Sequence, residues 1–240
     1  MKKQLLYKEL AEYYDLIYSS KRYKKEADKL FKLISKYKKT KGNELLEVAC
    51  GTGHHLKCFE ARFSCTGIDI SEKMLSIAKK RVPKARLHIG NMINFKLKEK
   101  FDVITCLFSS IGYVKNYQNL RKTIKNFSKH LKDGGVLLIE PWFTKKTFRP
   151  GMPYIEVYRS KKLKIARASV SRLEGNLSIV DMHHLIAEKD KGVRHYVDRH
   201  ELALFEIKPT LKIMREAGLK PVFLKNGLMK GRGLYVGVKE

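Results

Sequence analysis

Hydrophobic and polar positions follow two different periods in the first 140 residues. Short apolar runs predict strands at 45–49, 63–70, 85–89, 101–108 and 136–140. Apolar residues that recur every three or four positions predict helices over 1–41, at 54–60, from Ser71 onward and at about 119–131. Because strands that alternate with helices require right-handed crossovers, this pattern favours a parallel sheet.

The pattern changes after Pro141. Successive strands joined by short turns are predicted at 164–173, 177–187 and 192–204. A further helix and two strands are predicted at 209–218, 221–225 and 234–238. We therefore expect an α/β protein with three parts: an N-terminal helical cap (1–42), a core (43–140 and 205–240) and an antiparallel β subdomain for substrate or dimer contacts (141–204).

The composition indicates one large globular unit with a strong positive charge. The chain has 240 residues, and a hydrophobic fraction of 43% can supply a substantial core. The formal charge of +27 is compatible with RNA binding, with a small anionic substrate, or with a solvated lysine-rich surface. Because no run of about eighteen apolar residues occurs, we expect a cytoplasmic protein without a membrane partner.

Cysteine and histidine positions predict no metal site. The paired CxxC spacing of zinc ligands is absent from the four cysteines, which we interpret as free thiols: Cys50, Cys58, Cys65 and Cys106. His183 and His184 are neighbours in a predicted strand, so their side chains should point to opposite faces and cannot share one metal ion.

The segment EVACGTG (47–53) places two glycines directly after the first predicted strand. A strand, a glycine-rich turn and a helix commonly hold a nucleotide-like ligand. No Gly-Lys-Ser or Gly-Lys-Thr follows, and Leu56 stands where a dinucleotide fingerprint needs its third glycine, so an adenosine ligand without phosphate is the better candidate. Asp69 lies about twenty residues downstream, where it can accept from ribose hydroxyls or cap a helix.

Five segments in order resemble the motifs of class I S-adenosylmethionine-dependent methyltransferases: EVACGTG, GIDIS, GNM, FDVITCLFSSIGY and LKDGGVLLIE. The resemblance implies a Rossmann-like, seven-stranded, mostly parallel sheet with helices on both faces, plus the antiparallel β insertion. It implies S-adenosyl-L-methionine as cofactor. The cofactor contacts that it implies are Tyr18, Glu47, Ala49, Cys50, Gly51, Gly53, Asp69, Ile70, Met74, Asn91, Met92, Phe108 and Ser109.

The roles implied for these residues differ along the chain. Asp69 would bind the ribose, and Ile70 and Met74 would pack on the adenine. Many relatives have aspartate at the position of Asn91, but an asparagine carbonyl can still accept from the adenine amine. Phe108 and its neighbour Ser109 would lie near the sulfonium end of the cofactor.

Segments outside these motifs resemble a narrower family, the dTDP-aminosugar N,N-dimethyltransferases of the desosamine and mycaminose type. They are YDLIY, FSSIGYVK, EPWF, KGVRHYVDRHELALF and GRGLYVGV. The resemblance implies N-methylation of a small molecule, a nucleotide-linked amino sugar, with Tyr18 and Tyr113 at the reacting centre. The implied substrate contacts are Tyr113, Trp142, Arg194, His195 and Arg232. Arginine suits the pyrophosphate because its planar donors match phosphate oxygens.

Other functions stay open from the sequence alone. The charge is compatible with a methyltransferase acting on RNA or on another metabolite, although FSSIGY lacks the (N/D)PP(Y/F) signature of many base-amino methyltransferases. A non-catalytic nucleotide-binding protein is a third candidate, and a homodimer through the N-terminal helix or β insertion is compatible with the pattern. Methylation of an amine depends mainly on alignment, so no single base is assigned among Glu140, Tyr113 and the histidines of the insertion.

Overall fold

A seven-stranded sheet forms the centre of the molecule in a computed structural model that describes residues 4–240. Its strands are β1 (Glu44–Val48), β2 (Ser64–Asp69), β3 (Arg86–Ile89), β4 (Phe101–Cys106), β5 (Leu131–Ile139), β10 (Leu219–Leu224) and β11 (Leu234–Lys239). Their order is β10-β11-β5-β4-β1-β2-β3, and β11 runs antiparallel to both of its neighbours. The predicted mostly parallel, seven-stranded Rossmann-like sheet is confirmed.

Six α-helices accompany the strands in the described part of the chain. They are α1 (Ala11–Ile17), α2 (Tyr23–Tyr37), α3 (His54–Phe59), α4 (Glu72–Arg81), α5 (Tyr117–His130) and α6 (Ile207–Glu216). The hydroxyl of Ser71 accepts from the Met74 backbone N–H at 3.3 Å, and the Asn116 side chain accepts from the Asn119 N–H at 2.8 Å. These bonds satisfy backbone donors that a helix start leaves open, which fixes where α4 and α5 begin.

The N-terminal region departs from the prediction of one long helix. Residues 1–3 of that prediction lie outside the described residues. The rest contains a 3₁₀ turn (Leu5–Tyr7), α1 and α2, with turns at 18–20. The prediction that α5 reaches Leu131 is also wrong, because Leu131 adopts an extended conformation and already pairs with Phe101 as the first residue of β5.

A separate antiparallel sheet contains β6 (Pro153–Arg159), β7 (Leu163–Glu174), β8 (Leu177–Glu188) and β9 (Gly192–Ala203). All four strands lie between residues 141 and 204, but the sequence pattern predicted only three of them. The missed strand, β6, is an edge strand that pairs with β7 alone among the described strands. It carries Glu156 on its inner face, and an apolar residue there would have given the apolar–polar alternation that predicts a strand.

Three clusters of buried side chains hold these layers together. Two contain the helices packed against opposite faces of the central sheet, with Phe127 in one and Phe59 in the other. The third joins Leu6 of the N-terminal segment to Met74 of α4 and Ile186 of the small sheet. Full burial of one such side chain contributes about 1.5–3 kcal/mol, so the third cluster fixes the N-terminal segment over the central sheet. Among residues 4–240, no helix is long and apolar enough to span a membrane.

Candidate functional site

A cavity lies at the edge of the central sheet where the carboxyl ends of β1, β2 and β4 meet. Ten residues predicted from the sequence line it: Glu47, Ala49, Cys50, Gly51, Asp69, Ile70, Asn91, Met92, Phe108 and Tyr113. Because parallel strands place their carboxyl ends at one edge, motifs that are far apart in sequence converge there. The structure therefore brings together most of the predicted cofactor contacts.

The two glycines of EVACGTG have different structural roles. Gly51 has φ +55°, and a side chain added there would meet no atom within 4 Å, so its backbone borders open space in the cavity. Gly53 has φ +78°, and an added Cβ would lie 3.2 Å from the Ala78 side chain. Gly53 therefore allows α3 to pack against α4, whereas Gly51 leaves room for a ligand beside the loop.

Asp69 connects the glycine loop to the start of α4. Its Oδ2 accepts from the Gly51 N–H at 2.8 Å and its Oδ1 from the Ser71 N–H at 2.9 Å. A carboxylate has about four acceptor positions, so it can hold both backbone groups and still accept from a ligand. Burial raises the pKa of Asp69, although these hydrogen bonds oppose the rise. The capping interpretation and the ligand-binding interpretation are thus compatible.

Glu47 and His55 form a charged group at another part of the cavity lining. The Nε2 of His55 lies 2.8 Å from Glu26, and its Nδ1 lies 3.5 Å from Glu47. Burial opposes protonation of His55, but its hydrogen bonds to the two carboxylates outweigh burial and raise its pKa to about 9. One oxygen of Glu47 is buried without a partner among residues 4–240, which leaves an acceptor for a cationic ligand group.

Tyrosines from the N-terminal segment complete the lining. Tyr7, Tyr14 and Tyr23 border the cavity, and the sequence prediction missed all three. Asp15 fixes this segment, since its carboxylate accepts from the Thr52 hydroxyl at 2.7 Å and from Arg81 at 2.6 Å. The sequence signal for these residues was the series of tyrosines in and around YDLIY, of which the prediction included only Tyr18.

The loop after β4 has a strained backbone beside a buried acid. Phe108 and Ser109 have φ values of +50° and +64°, a region that residues other than glycine seldom adopt. Glu140 is fully buried, and its Oε2 accepts from the Phe108 N–H at 2.7 Å, while its Oε1 has no partner in the described part of the chain. Burial raises the pKa of Glu140, and the nearby positive charges oppose that rise.

Arg232 links this loop to the predicted substrate side. Its guanidinium lies 4.3 Å from the centre of the Trp142 ring and donates to the Ser109 hydroxyl at 3.0 Å. The Nε of Arg232 is buried and has no partner among the residues that the structure describes, and burial lowers the pKa of the guanidinium. Tyr18 lies on the other side of Phe108, with ring centres 5.1 Å apart and with Arg167 over its ring at 4.7 Å.

Some predicted site residues lie outside the cavity lining. Met74 is buried in the cluster that holds the N-terminal segment. Arg194 forms an ion pair with Glu188 at 2.6 Å, and His195 lies on the exposed face of the small sheet, where its ring stacks on that of His183. The structure thus does not bring Arg194 and His195 to the cavity. Tyr18 contacts Phe108, which lines it, and Ser109 follows Phe108 in the chain, whereas Arg232 and Trp142 lie one contact further away, with Arg232 bonded to Ser109 and packed on Trp142.

Comparisons with known proteins extend over the whole chain. A family profile described as a methyltransferase domain matches residues 45–135. The chain is 40% identical over 231 residues to the dTDP-3-amino-3,4,6-trideoxy-alpha-D-glucopyranose N,N-dimethyltransferase of Streptomyces venezuelae, covering 95% of this chain and 97% of that protein. It is 35% identical to the dTDP-3-amino-3,6-dideoxy-alpha-D-glucopyranose N,N-dimethyltransferase of Streptomyces fradiae, covering 96% and 91%.

Solved structures agree with these matches. The crystal structure of Streptomyces venezuelae DesVI superposes with a TM-score of 0.90 at 39% identity, covering 96% of this chain and 98% of that one. The S-adenosylmethionine-bound structure of CalS10, an amino pentose methyltransferase from Micromonospora echinaspora, gives a TM-score of 0.86 at 29% identity and covers both chains fully.

Proposed function

Because the chain belongs to the family of S-adenosylmethionine-dependent methyltransferases that includes the dTDP-aminosugar N,N-dimethyltransferases, we propose that it methylates the amine of a nucleotide-linked amino sugar. The observation that carries this proposal is the 40% identity over 97% of a relative with that activity, since the match includes the acceptor side as well as the cofactor side. Cytoplasmic localisation and a homodimer stay predictions.

The residues of the cavity suit S-adenosylmethionine. Asp69 offers free acceptor positions for ribose hydroxyls, and the backbone at Gly51 borders open space. The unpartnered oxygen of Glu47 suits the ammonium group of the cofactor, and His55 is already bound to Glu26 and Glu47 through its two ring nitrogens. We therefore assign the amino group of the cofactor to Glu47, and the nucleoside end to Asp69, Ile70 and Asn91.

The acceptor side is assigned to the group around Arg232. A nucleotide sugar carries a diphosphate, and Arg232 has an unused guanidinium N–H and aromatic neighbours that fix its orientation. Trp142 and Tyr18 offer flat apolar surfaces for the sugar or base. Arg194 and His195 are left out of this assignment because they lie away from the cavity.

Catalysis in this site depends mainly on alignment. S-adenosylmethionine, when bound, supplies an electrophilic methyl group. The protein would hold the acceptor nitrogen in line with that methyl group, and the left-handed backbone at Phe108 and Ser109 fixes the cavity wall at Phe108. Glu140 can bind a donor group of the acceptor through its unpartnered Oε1, which restricts how the amine is presented.

The proposal is tested by mass spectrometry of an acceptor panel. The purified protein is incubated with S-adenosylmethionine and dTDP-3-amino-3,6-dideoxyglucose, with dTDP-glucose as the matched compound that lacks an amine, and with free amino acids. We expect one or two methyl additions on the amino sugar alone. Methylation of dTDP-glucose, or of none of these compounds despite cofactor binding, would contradict the proposed acceptor class.

RNA is retained as a second acceptor because of the charge of +27. A short RNA is therefore included in the same panel. Binding driven by phosphate contacts weakens steeply with salt, so retention on RNA is compared at low and physiological ionic strength. Methylated RNA together with an unmodified amino sugar would favour this alternative.

A further inference from the structure

A chain of hydrogen bonds leads from the cavity into the small sheet. The hydroxyl of Tyr7 lies 2.9 Å from that of Tyr113, which lies 2.6 Å from the Nδ1 of His200. The Nε2 of His200 lies 2.8 Å from the Oδ2 of Asp198. Tyr7 and Tyr113 line the cavity, whereas His200 and Asp198 are 1% and 0% exposed. Nothing in the proposed methyl transfer uses this buried pair.

The direction of these bonds follows from the acid. The Asp198 carboxylate accepts the N–H groups of Leu5 and Leu6 at 2.8 and 2.9 Å, so it is ionised and can only accept. Burial disfavours its charge, but the bond from His200 and the two backbone bonds outweigh burial and hold the pKa of Asp198 below its usual range. We assign the proton of the neutral His200 ring to Nε2, which donates to this carboxylate, so that Nδ1 accepts from the Tyr113 hydroxyl.

The remaining bond has a defined direction as well. Because the Tyr113 hydroxyl donates to His200, its oxygen accepts from the Tyr7 hydroxyl. In this arrangement each donated hydrogen points along the chain toward Asp198. The two tyrosine oxygens keep acceptor positions for a ligand in the cavity. A ligand N–H that donates to either oxygen finds a continuous path to the Nδ1 of His200.

We propose that Tyr7, Tyr113, His200 and Asp198 form a proton relay that accepts the proton of the bound acceptor ammonium. This proposal rests on the proposed function. The ammonium N–H bond breaks and its proton passes to a tyrosine oxygen, while the tyrosine proton passes to the Nδ1 of His200. The resulting imidazolium is stabilised by Asp198, and the amine is free to attack the methyl group. The proton returns to water by the same path when the cavity opens.

The proposed methyl transfer requires that a proton be removed from the acceptor ammonium. An ammonium ion has no lone pair, and each methyl transfer to an amine again produces an ammonium that must lose a proton before a second transfer. His200 and Asp198 act through the tyrosines, so they are positioning residues. Because Asp198 also binds the backbone of Leu5 and Leu6, the same carboxylate holds Tyr7 in place.

The groups that face His200 are few among the described residues. They are Asp198 on its own strand, Tyr7 from the 3₁₀ turn Leu5–Tyr7, Tyr113 from a second 3₁₀ turn (Ser110–Val114), and His184 on β8. His184 is also fully buried, but neither of its ring nitrogens has a hydrogen-bond partner within residues 4–240. It therefore provides a matched control for a substitution of His200.

The kinetic test compares Tyr113→Phe and His200→Gln with His184→Gln across pH, on whichever amine the wild type methylates. General acid–base assistance contributes about 10²-fold or more, so we expect a loss of that order in kcat/KM for both relay variants at neutral pH. The loss should shrink at high pH, where the amine arrives neutral. His184→Gln should keep the wild-type pH profile. Equal losses at every pH, or a profile unchanged in Tyr113→Phe, would overturn the relay.

A second measurement is independent of the acceptor. Nitrogen-15 NMR of the histidine rings at neutral pH should show His200 protonated on Nε2 only, with its Nδ1 signal shifted in Tyr113→Phe. A ring protonated on Nδ1 before substrate binds would overturn the relay, because it could not accept a proton there. If the wild type methylates no nucleotide sugar, the proposed function fails, and the NMR result still decides the relay.

Discussion

Replacing Asp69 with asparagine tests the centre of the cofactor site. The carboxylate accepts from the N–H groups of Gly51 and Ser71 through different oxygens, so either orientation of an amide places its NH₂ against one of these donors. A lost hydrogen bond to a charged group is worth about 1.5–3 kcal/mol. We expect the free energy of unfolding to fall by about that amount.

Cofactor affinity should fall by a separate contribution. If Asp69 also accepts from a ribose hydroxyl, losing that charge-assisted bond costs about 1.5–3 kcal/mol, which is about a 10- to 150-fold rise in Kd. Isothermal titration with S-adenosylhomocysteine measures the affinity directly, and chemical denaturation measures the stability of the same preparation.

Asp102→Asn is the matched control for this substitution. Asp102 is buried, and its carboxylate accepts from the Glu44 N–H and from Lys132, each at 2.9 Å, but it is the second residue of β4, whereas Asp69 is the last residue of β2. It therefore lies at the opposite edge of the parallel sheet, and its replacement should lower stability without changing affinity. Wild-type affinity in Asp69→Asn would refute the assignment, and equal losses of affinity in both variants would attribute the effect to stability alone.

Three further predictions concern the acceptor side and the charged group near Glu47. Glu140→Gln should lower the methylation rate and leave the affinity for S-adenosylhomocysteine unchanged, as initial rates and titration would show. Arg232→Lys keeps the charge but loses the planar donors, so KM for the nucleotide sugar should rise about tenfold, a loss of about 1.4 kcal/mol. The pKa of His55 is raised to about 9 in the folded protein, so its ion pair stabilises fully below pH 6.5 and is lost as pH rises through about 9. Thermal denaturation should therefore show a larger loss of stability between pH 6.5 and 9 in the wild type than in His55→Gln.

The cofactor edge could be predicted from the sequence because its determinants are local. Gly51 lies three residues after the end of β1 and Asp69 is the last residue of β2, and a parallel sheet brings the ends of neighbouring strands together. The separate roles of the two glycines could not be predicted, since Gly53 is required by the packing of α3 on α4. That contact depends on where the helices lie, which a single motif does not specify.

The acceptor side was harder to predict because its contacts join distant parts of the chain. Arg232 meets Ser109 across 123 positions, and Trp142 holds Ser178 through its indole N–H. Residue type alone favoured Arg194 and His195 as well, but the pleat of β9 directs them to an ion pair and to an exposed face. A basic residue in a segment that resembles the family is thus weak evidence for phosphate contact until the face of the strand on which it lies is known.

The N-terminal segment shows why the central sheet does not form the site by itself. Asp15 fixes the segment to the glycine loop, and Asp198 fixes it to the small sheet through the backbone of Leu5 and Leu6. Tyr7 and Tyr14 of this segment line the cavity. The antiparallel sheet therefore contributes to the cavity wall through Asp198, which holds the backbone of Leu5 and Leu6 next to Tyr7.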